Sequence, residues 1–454
     1  MNEFADETAE LASYRGQDFL TMYLKACGKT DIPTKMHEWI GLSLLAGLVQ
    51  DRITVTLNPH WAPFTLLLYI MLISKSGAGK GLSISGVEKL IKDTFIQGYL
   101  ADGKPQFQGI GLEAQGASER TLAGLHLFKG RMTRAAMEEY LSDQCKQDGP
   151  VKISGRSTYL YWLAKELKNA IGQDKLAQDV LTFLVDSFEE NEFPITSSTR
   201  KSGPKYISKP CINFLASTSW DWMPTIMSAR DAAAGLMRRF FFVDIPYDPG
   251  KATLKYDYSE RSPILMQALR DRVASYASIV AAGEIRFSPV AWEDFEVWFH
   301  SIQQPIDVSL EIFYGNRGSN GAKLAALSAL SRWDPRTATR PELGVLTLIE
   351  PEDVVRGAEW WTEANDTLPK LLIQTGSSEA NRKADIMADM FTSVCNGKTK
   401  TLSLATVSQL LSTKDFDWRD INNALETLAG RDWVTKEMVE GRPWWTWEGR
   451  KGSR

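Results

Sequence analysis

The sequence predicts an α/β protein built on a parallel sheet, and three observations carry that expectation. Phe64 to Ile73 is a nearly unbroken apolar run that ends at a glycine cluster, the pattern of a strand buried on both faces. Cys211 to Ser217 and Phe240 to Ile245 repeat it. Each run has hydroxyl, acidic or basic residues near one end, and open α/β sheets bind ligands beyond the carboxyl ends of their strands.

Residues 1–60 read as a helical segment: Phe19, Tyr23, Leu24 and Cys27 share one face, and Met36, Ile40, Leu44, Leu45 and Leu48 another, before Arg52–Leu57 alternates like a strand. After the apolar run comes Ser74-Lys75-Ser76-Gly77-Ala78-Gly79-Lys80-Gly81, then apolar residues at helical spacing (Ile84, Val87, Leu90, Ile91, Phe95). Strand, glycine-rich loop with Gly-Lys, then helix is the context of a P-loop, whose backbone amides and lysine wrap the phosphates of a nucleotide. Ser76, Gly77, Ala78, Gly79, Lys80, Gly81 and Leu82 are the expected cradle. The pattern GxxxxGK[ST] has glycine where Ser74 stands, and where Gly81 stands it has a hydroxyl that ligands Mg²⁺. Ser83 is the nearest substitute for that hydroxyl.

Further along, Ser118–Leu125 reads as a capped helix. Met132–Met137 reads as a short strand, Tyr161–Asn169 and Leu176–Phe188 as helices, 189–209 as a hairpin or loop, and the stretch led by Met223-Pro224 as a helix. Pro246–Lys251 marks a boundary. Residues 252–372 read as mainly helical (Ile264–Ile279, Val290–Ile302, Ala322–Trp333, Glu352–Leu372), and Gly376-Ser377-Ser378 as a linker. The tail reads as three helices and two alternating segments, Trp433–Val439 and Pro443–Trp447, which is winged-helix order. The expected domains are 1–60 (N-terminal helices), 61–250 (P-loop core), 251–375 (helical accessory domain) and 376–454 (winged-helix-like).

ATP hydrolysis needs a carboxylate for Mg²⁺ and another to orient the attacking water. Glu138 and Glu139 follow the Met132–Met137 run, so Glu138 is assigned to the metal and Glu139 to the water. Ser217, with Thr218 and Ser219, would sense the terminal phosphate or simply cap a helix. Arg239, ahead of Arg238, is expected to reach a neighbouring subunit's nucleotide; the alternative is a salt bridge at the strand entrance.

The order of SKSGAGKGLS, ASERTLAGL, MEEYLSD, FLVDSFEENEF, CINFLASTSWDWM, GLMRRFFFVDIP, NGAKLAALSAL and VVRGAEWW resembles a family of phage and prophage P-loop ATPases related to primase–helicases, over about residues 35–370. In that family an arginine segment matches Met237–Phe240 and an Asp-Glu pair matches Glu138-Glu139. This chain has glutamate for the aspartate, Gly81 for the hydroxyl residue and Ser74 for the first glycine. The resemblance implies a RecA/AAA+-like core and a ring-forming motor, hexamer favoured, that hydrolyses ATP with Mg²⁺. It would act as a helicase on single- or double-stranded DNA in replication of a phage or mobile element, with a primase or loader protein as partner. The alternative is a nucleotide-gated loader or defence-complex scaffold with little turnover.

The 454 residues carry a formal net charge of −4, so any nucleic-acid contact must come from local patches. In the tail, Lys436, Arg442 and other cations interleave with Trp418, Trp433, Trp444, Trp445 and Trp447, but Asp420 and Glu426 crowd the same helix. DNA binding and protein docking both fit it. Four scattered cysteines without a CxxC pair argue against disulfides or zinc. No apolar run approaches the ~20 residues of a membrane-spanning helix, so a cytoplasmic protein without membrane contact is expected.

Overall fold

In the first half of the chain, each element forms where local signals and burial agree. The computed structural model describes residues 10–57, 63–99, 105–107, 127–147, 157–171, 175–188, 195–199, 203–223, 237–248, 257–279, 282–303, 305, 310–338, 340–375, 379–395, 400–411, 418–430, 433–439 and 442–448. Helix α1 (Phe19–Cys27) starts at Asp18, whose Oδ1 accepts from Thr21 N–H at 2.8 Å. Helix α2 (Thr34–Val49) is buried at every position from Met36 to Val49 except Glu38, as a helix apolar all round must be.

The apolar run Phe64–Ile73 does not make one strand. β1 (Ile53–Val55) pairs antiparallel with β2 (Phe64–Thr65), whereas β3 (Tyr69–Ile73) belongs to another sheet. Asn213 lies at the break: its Oδ1 accepts from Leu68 N–H at 3.0 Å. Helix α3 (Lys80–Phe95) follows the glycine loop as expected, then the hairpin of β4 (Ile96–Tyr99) and β5 (Pro105–Phe107), and β6 (Leu127–Lys129).

Two expectations fail here. The expected strand Met132–Met137 is the start of helix α4 (Arg134–Gln147). Thr133 opens it, with its carbonyl accepting from Met137 N–H at 2.9 Å, and Met137, Glu138, Leu141 and Ser142 face inward at helical spacing. The first half of the expected helix Tyr161–Asn169 is instead the end of β7 (Thr158–Ala164), whose residues from Leu160 on are all buried, and only Leu167–Asn169 are helical. Aromatic residues flanked by strands on both sides suit an extended backbone.

Helix α5 (Leu167–Ile171), α6 (Lys175–Phe188) and the hairpin of β8 (Ile195–Thr199) and β9 (Gly203–Ile207) lead to β10 (Pro210–Thr218) and β11 (Phe240–Asp244). Among the described residues the principal sheet has five strands in the order β11-β3-β10-β7-β6, all parallel. The expected helices at Ser118–Leu125 and after Met223-Pro224 lie outside the described residues, apart from Met223 itself.

Helices α7 (Pro263–Ala277), α8 (Pro289–Ser301), α9 (Glu311–Gly315), α10 (Arg317–Arg332) and α11 (Pro351–Asn365) match the expected helical stretch; α12 (Leu368–Thr375) splits from its end. Ser262 and Ser288 cap α7 and α8, each with proline at the first turn. The same stretch also holds β12 (Gly283–Phe287) and β13 (Val345–Ile349), which extend a second sheet in the order β13-β12-β1-β2. Residues 53–55 thus pair in parallel with residues 283–285. One compact unit comprises Met1–Ile226, Ala234–Gln304 and Ile312–Leu368. Most of the expected N-terminal, core and accessory segments falls within this one unit.

The other unit comprises Met227–Ala233, Pro305–Glu311 and Pro369–Arg454. In it, α13 (Glu379–Cys395), β14 (Lys400–Ser403), α14 (Leu404–Leu411), α15 (Trp418–Gly430), β15 (Val434–Val439) and β16 (Arg442–Trp447) follow in that order, with an antiparallel sheet β14-β16-β15. Its core holds Phe391, Val407, Leu425, Trp445 and Trp447. Trp445 and Trp447 are therefore packing residues and do not offer a free stacking face, whereas Trp418 is 58% exposed. Lys383 pairs with Asp420, and Lys436 with Glu426 at 2.6 Å.

A buried charge network ties α1, α7 and α10 together. Arg272, fully buried, pairs with Asp334, which also accepts from Arg336 Nη2 at 2.9 Å and Gly16 N–H at 3.3 Å. Burial opposes the charge on Asp334, but the Arg336 hydrogen bonds, the Arg272 charge and the Gly16 amide bring its carboxyl down to about 2. A carboxyl lowered on folding stabilises above its unfolded value, ~3.9, and that stability is lost as pH falls through the folded value. Asp334→Asn should flatten the fall of urea stability between about pH 4 and 2. Asp334→Ala should cost about 3–5 kcal/mol at neutral pH, since it strands Arg272 in the interior.

Candidate functional site

The site begins where β3 ends. In the loop after Ile73, Gly77 and Gly79 take positive φ, 90° and 74°. A Cβ at Gly79 would lie 2.7 Å from Ile32 Cγ1, so conformation and space both require glycine there. Ser74 N–H donates to the Thr218 carbonyl at 3.2 Å, tying the loop to β10. Lys80, the first residue of α3, folds back and donates to the Ser74 and Lys75 carbonyls at 2.7 and 2.8 Å. Burial lowers its pKa, and the negative charge of Glu166 acts the other way.

The carboxyl ends of the neighbouring strands supply the rest. β7 runs into Lys165-Glu166, β10 into Ser217-Thr218-Ser219, and β6 into Lys129-Gly130. With the loop Ser76–Leu82, with Lys168, Asn169 and Trp222, they enclose a cavity of about 810 Å³. Asn169 Nδ2 donates to Glu166 Oε2 at 2.8 Å and fixes that carboxylate. Lys168 Nζ stands 3.5 Å from the Trp222 ring centre. Behind the wall, Glu88 of α3 takes Lys129 at 2.6 Å, Lys92 at 3.2 Å and Lys165 at 3.4 Å. Burial opposes its charge, but the Lys129 and Lys92 hydrogen bonds and the Lys129 and Lys165 charges bring its carboxyl down to about 2.

Of the residues expected from sequence, Ser76, Gly77, Ala78, Gly79, Lys80, Gly81, Leu82 and Ser217 all line this cavity. Ser217 is fully buried, and its hydroxyl donates to the Lys165 carbonyl, joining the ends of β10 and β7. The others are elsewhere. Glu138 lies on α4, buried against Arg134 Nε at 2.8 Å, and Glu139 points out beside Lys205 at 4.0 Å. Neither lines the cavity, because the strand meant to deliver them is a helix. Ser83 donates to the Gly79 carbonyl at 3.2 Å inside its own helix. Ser83 and Glu138 therefore do not fit the Mg²⁺ site expected of them. Among the described residues no group of three or more His, Cys, Asp or Glu comes together.

Arg239 immediately precedes β11, whose Phe240 is level with Tyr69 at the start of β3. It thus sits at the sheet edge opposite the cavity, and only 6% of it is exposed. That is neither in its own cleft nor on the surface that a trans-acting arginine needs. The acid that reaches the cavity is Glu166. Its signal was present as an apolar run, Tyr159–Ala164, ending in Lys-Glu, but was hidden by reading the run as a helix. The chain matches no protein-family model and no curated protein.

Gly79→Ala should lower stability by about 1–3 kcal/mol, combining left-handed strain with the Ile32 clash. At Gly81 a Cβ would meet nothing nearer than Lys165 Cβ at 4.0 Å. Gly81→Ser should fold normally and gain about 0.5 kcal/mol from helix propensity. Urea unfolding of both variants checks the contrast.

Proposed function

We propose that this chain binds a nucleoside triphosphate in the cavity and hydrolyses it. The supporting observation is the convergence, at one edge of a parallel sheet, of a positive-φ glycine loop, a lysine at a helix start and a carboxylate from the strand two places away. Loop amides and the α3 N-terminus suit phosphate oxygens. Lys80 supplies charge once it exchanges the Ser74 and Lys75 carbonyls for phosphate. Glu166, held by Asn169, is placed to orient a water toward the terminal phosphate.

The arrangement is consistent with a P-loop core of RecA/AAA+ type, and the order helix, strand, two helices and hairpin in the tail supports a winged helix. On this reading the protein is a nucleic-acid-linked ATPase, and a replicative DNA helicase working as a ring is its fullest form. A second reading, a nucleotide-gated loader or scaffold with slow turnover, is favoured by the burial of Arg239 and by Gly81.

Lys80→Ala should abolish nucleotide binding in equilibrium titrations. Glu166→Gln should keep binding but lower turnover by about 10²-fold or more, while Glu139→Gln changes neither. Normal turnover in Glu166→Gln would remove the acid from the mechanism. Acceleration by single-stranded DNA, with a ring mass in solution, supports the motor; nucleotide binding without turnover supports the switch.

A further inference from the structure

The wall beside Gly81 is built for a different kind of charge neutralisation. In a P-loop helix, the residue after the lysine offers a hydroxyl to the divalent cation that screens the phosphates. Here that position has no side chain, and an added Cβ would meet nothing nearer than Lys165 Cβ, at 4.0 Å. Ser83, the next hydroxyl, is turned into its own helix. The space where a metal ligand would stand is flanked by the stem of Lys165, whose ammonium pairs with Glu88 at 3.4 Å.

Lys165 is not alone. Glu88, its side chain only 11% exposed, faces Lys129, Lys92 and Lys165 together. One carboxylate against three ammonium groups leaves the cluster net positive, and two of the three, Lys129 and Lys165, belong to the cavity wall. Lys129 and Lys165 both line the cavity, at the ends of the adjacent strands β6 and β7, while Glu88 stays behind them. Its ion pairs hold the two long side chains in place before any ligand arrives, which removes much of the entropy cost of ordering them later. Glu166, the one acid among the described residues that line the cavity, already accepts from Asn169 and lies in the field of Lys80.

We propose that Lys129 and Lys165, positioned by Glu88, stand in for the divalent cation, so that this cleft binds a nucleoside triphosphate without Mg²⁺. The inference rests on the nucleotide reading of the cavity. ATP and ADP are titrated into the full chain in excess Mg²⁺ and again in EDTA. Wild-type affinity for ATP should change less than about threefold between the two. Lys129→Met with Lys165→Met should weaken ATP in EDTA by at least about tenfold and ADP by much less, since the screening is needed most at the outer phosphates. Both side chains are about half exposed, so the variant should fold, and Lys129→Arg with Lys165→Arg should restore binding. Glu88→Gln, which releases the two lysines from the ion pairs that position them, should weaken ATP in EDTA. ATP binding in Mg²⁺ that falls tenfold or more in EDTA overturns the proposal. So does a double methionine variant that binds like wild type in EDTA. Absence of nucleotide binding under both conditions overturns the nucleotide reading itself, and the proposal with it.

Discussion

The close approach of Ile32 to Gly79 is the constraint on which the cleft depends. With Ile32 Cγ1 2.7 Å from where a side chain would start, the loop can pass the N-terminal segment only as glycine. That contact fixes where α3 begins and hence where Lys80 emerges. Residues 10–57 are thus part of the site's foundation even though none of them lines the cavity. Hydrogen bonds from Lys80 to the Ser74 and Lys75 carbonyls then brace the loop, the kind of preorganisation that lowers the cost of binding.

A satisfied polar node in the interior does the corresponding work for the sheet. Asn213 on β10 accepts from Leu68 N–H and donates to the Ser43 carbonyl at 2.8 Å, while Ser43 Oγ lies 3.2 Å from the Tyr161 hydroxyl. One amide thereby joins α2, the break before β3, and β10, and through Ser43 it reaches β7. Such a network gains little net stability but penalises any slipped register, because every slip strands a buried donor or acceptor. It explains why the long apolar run turns into two sheets where it does.

What could be read from the sequence follows from the range of each signal. The loop and α3, the strands Pro210–Thr218 and Phe240–Asp244, and most helices beyond residue 260 announce themselves within a dozen residues. The pairing of β1 with β12 joins residues more than two hundred positions apart and leaves no local trace, so the accessory segment seemed separable. Met132–Met137 and Tyr159–Ala164 are short apolar stretches, for which helix and strand patterns overlap. The Thr133 cap decided one and the flanking strands the other. That exchange puts Glu166, and neither Glu138 nor Glu139, at the cavity, so the loop side of the cavity was legible and the acid side was not.

The way Lys80 is held has a consequence for selectivity. Its ammonium already has two carbonyl acceptors, so a visitor is judged by the difference it makes, not by contact alone. A neutral molecule or a singly charged anion exchanges good acceptors for similar ones and gains little. A densely charged chain gains at Lys80 and again at the lysines of the wall. On the proposed nucleotide reading the loop would therefore set a threshold on ligand charge, with common small anions below it. When Lys80 is drawn away, the carbonyl of buried Ser74 is the group obliged to find a new partner, since exposed Lys75 can take water.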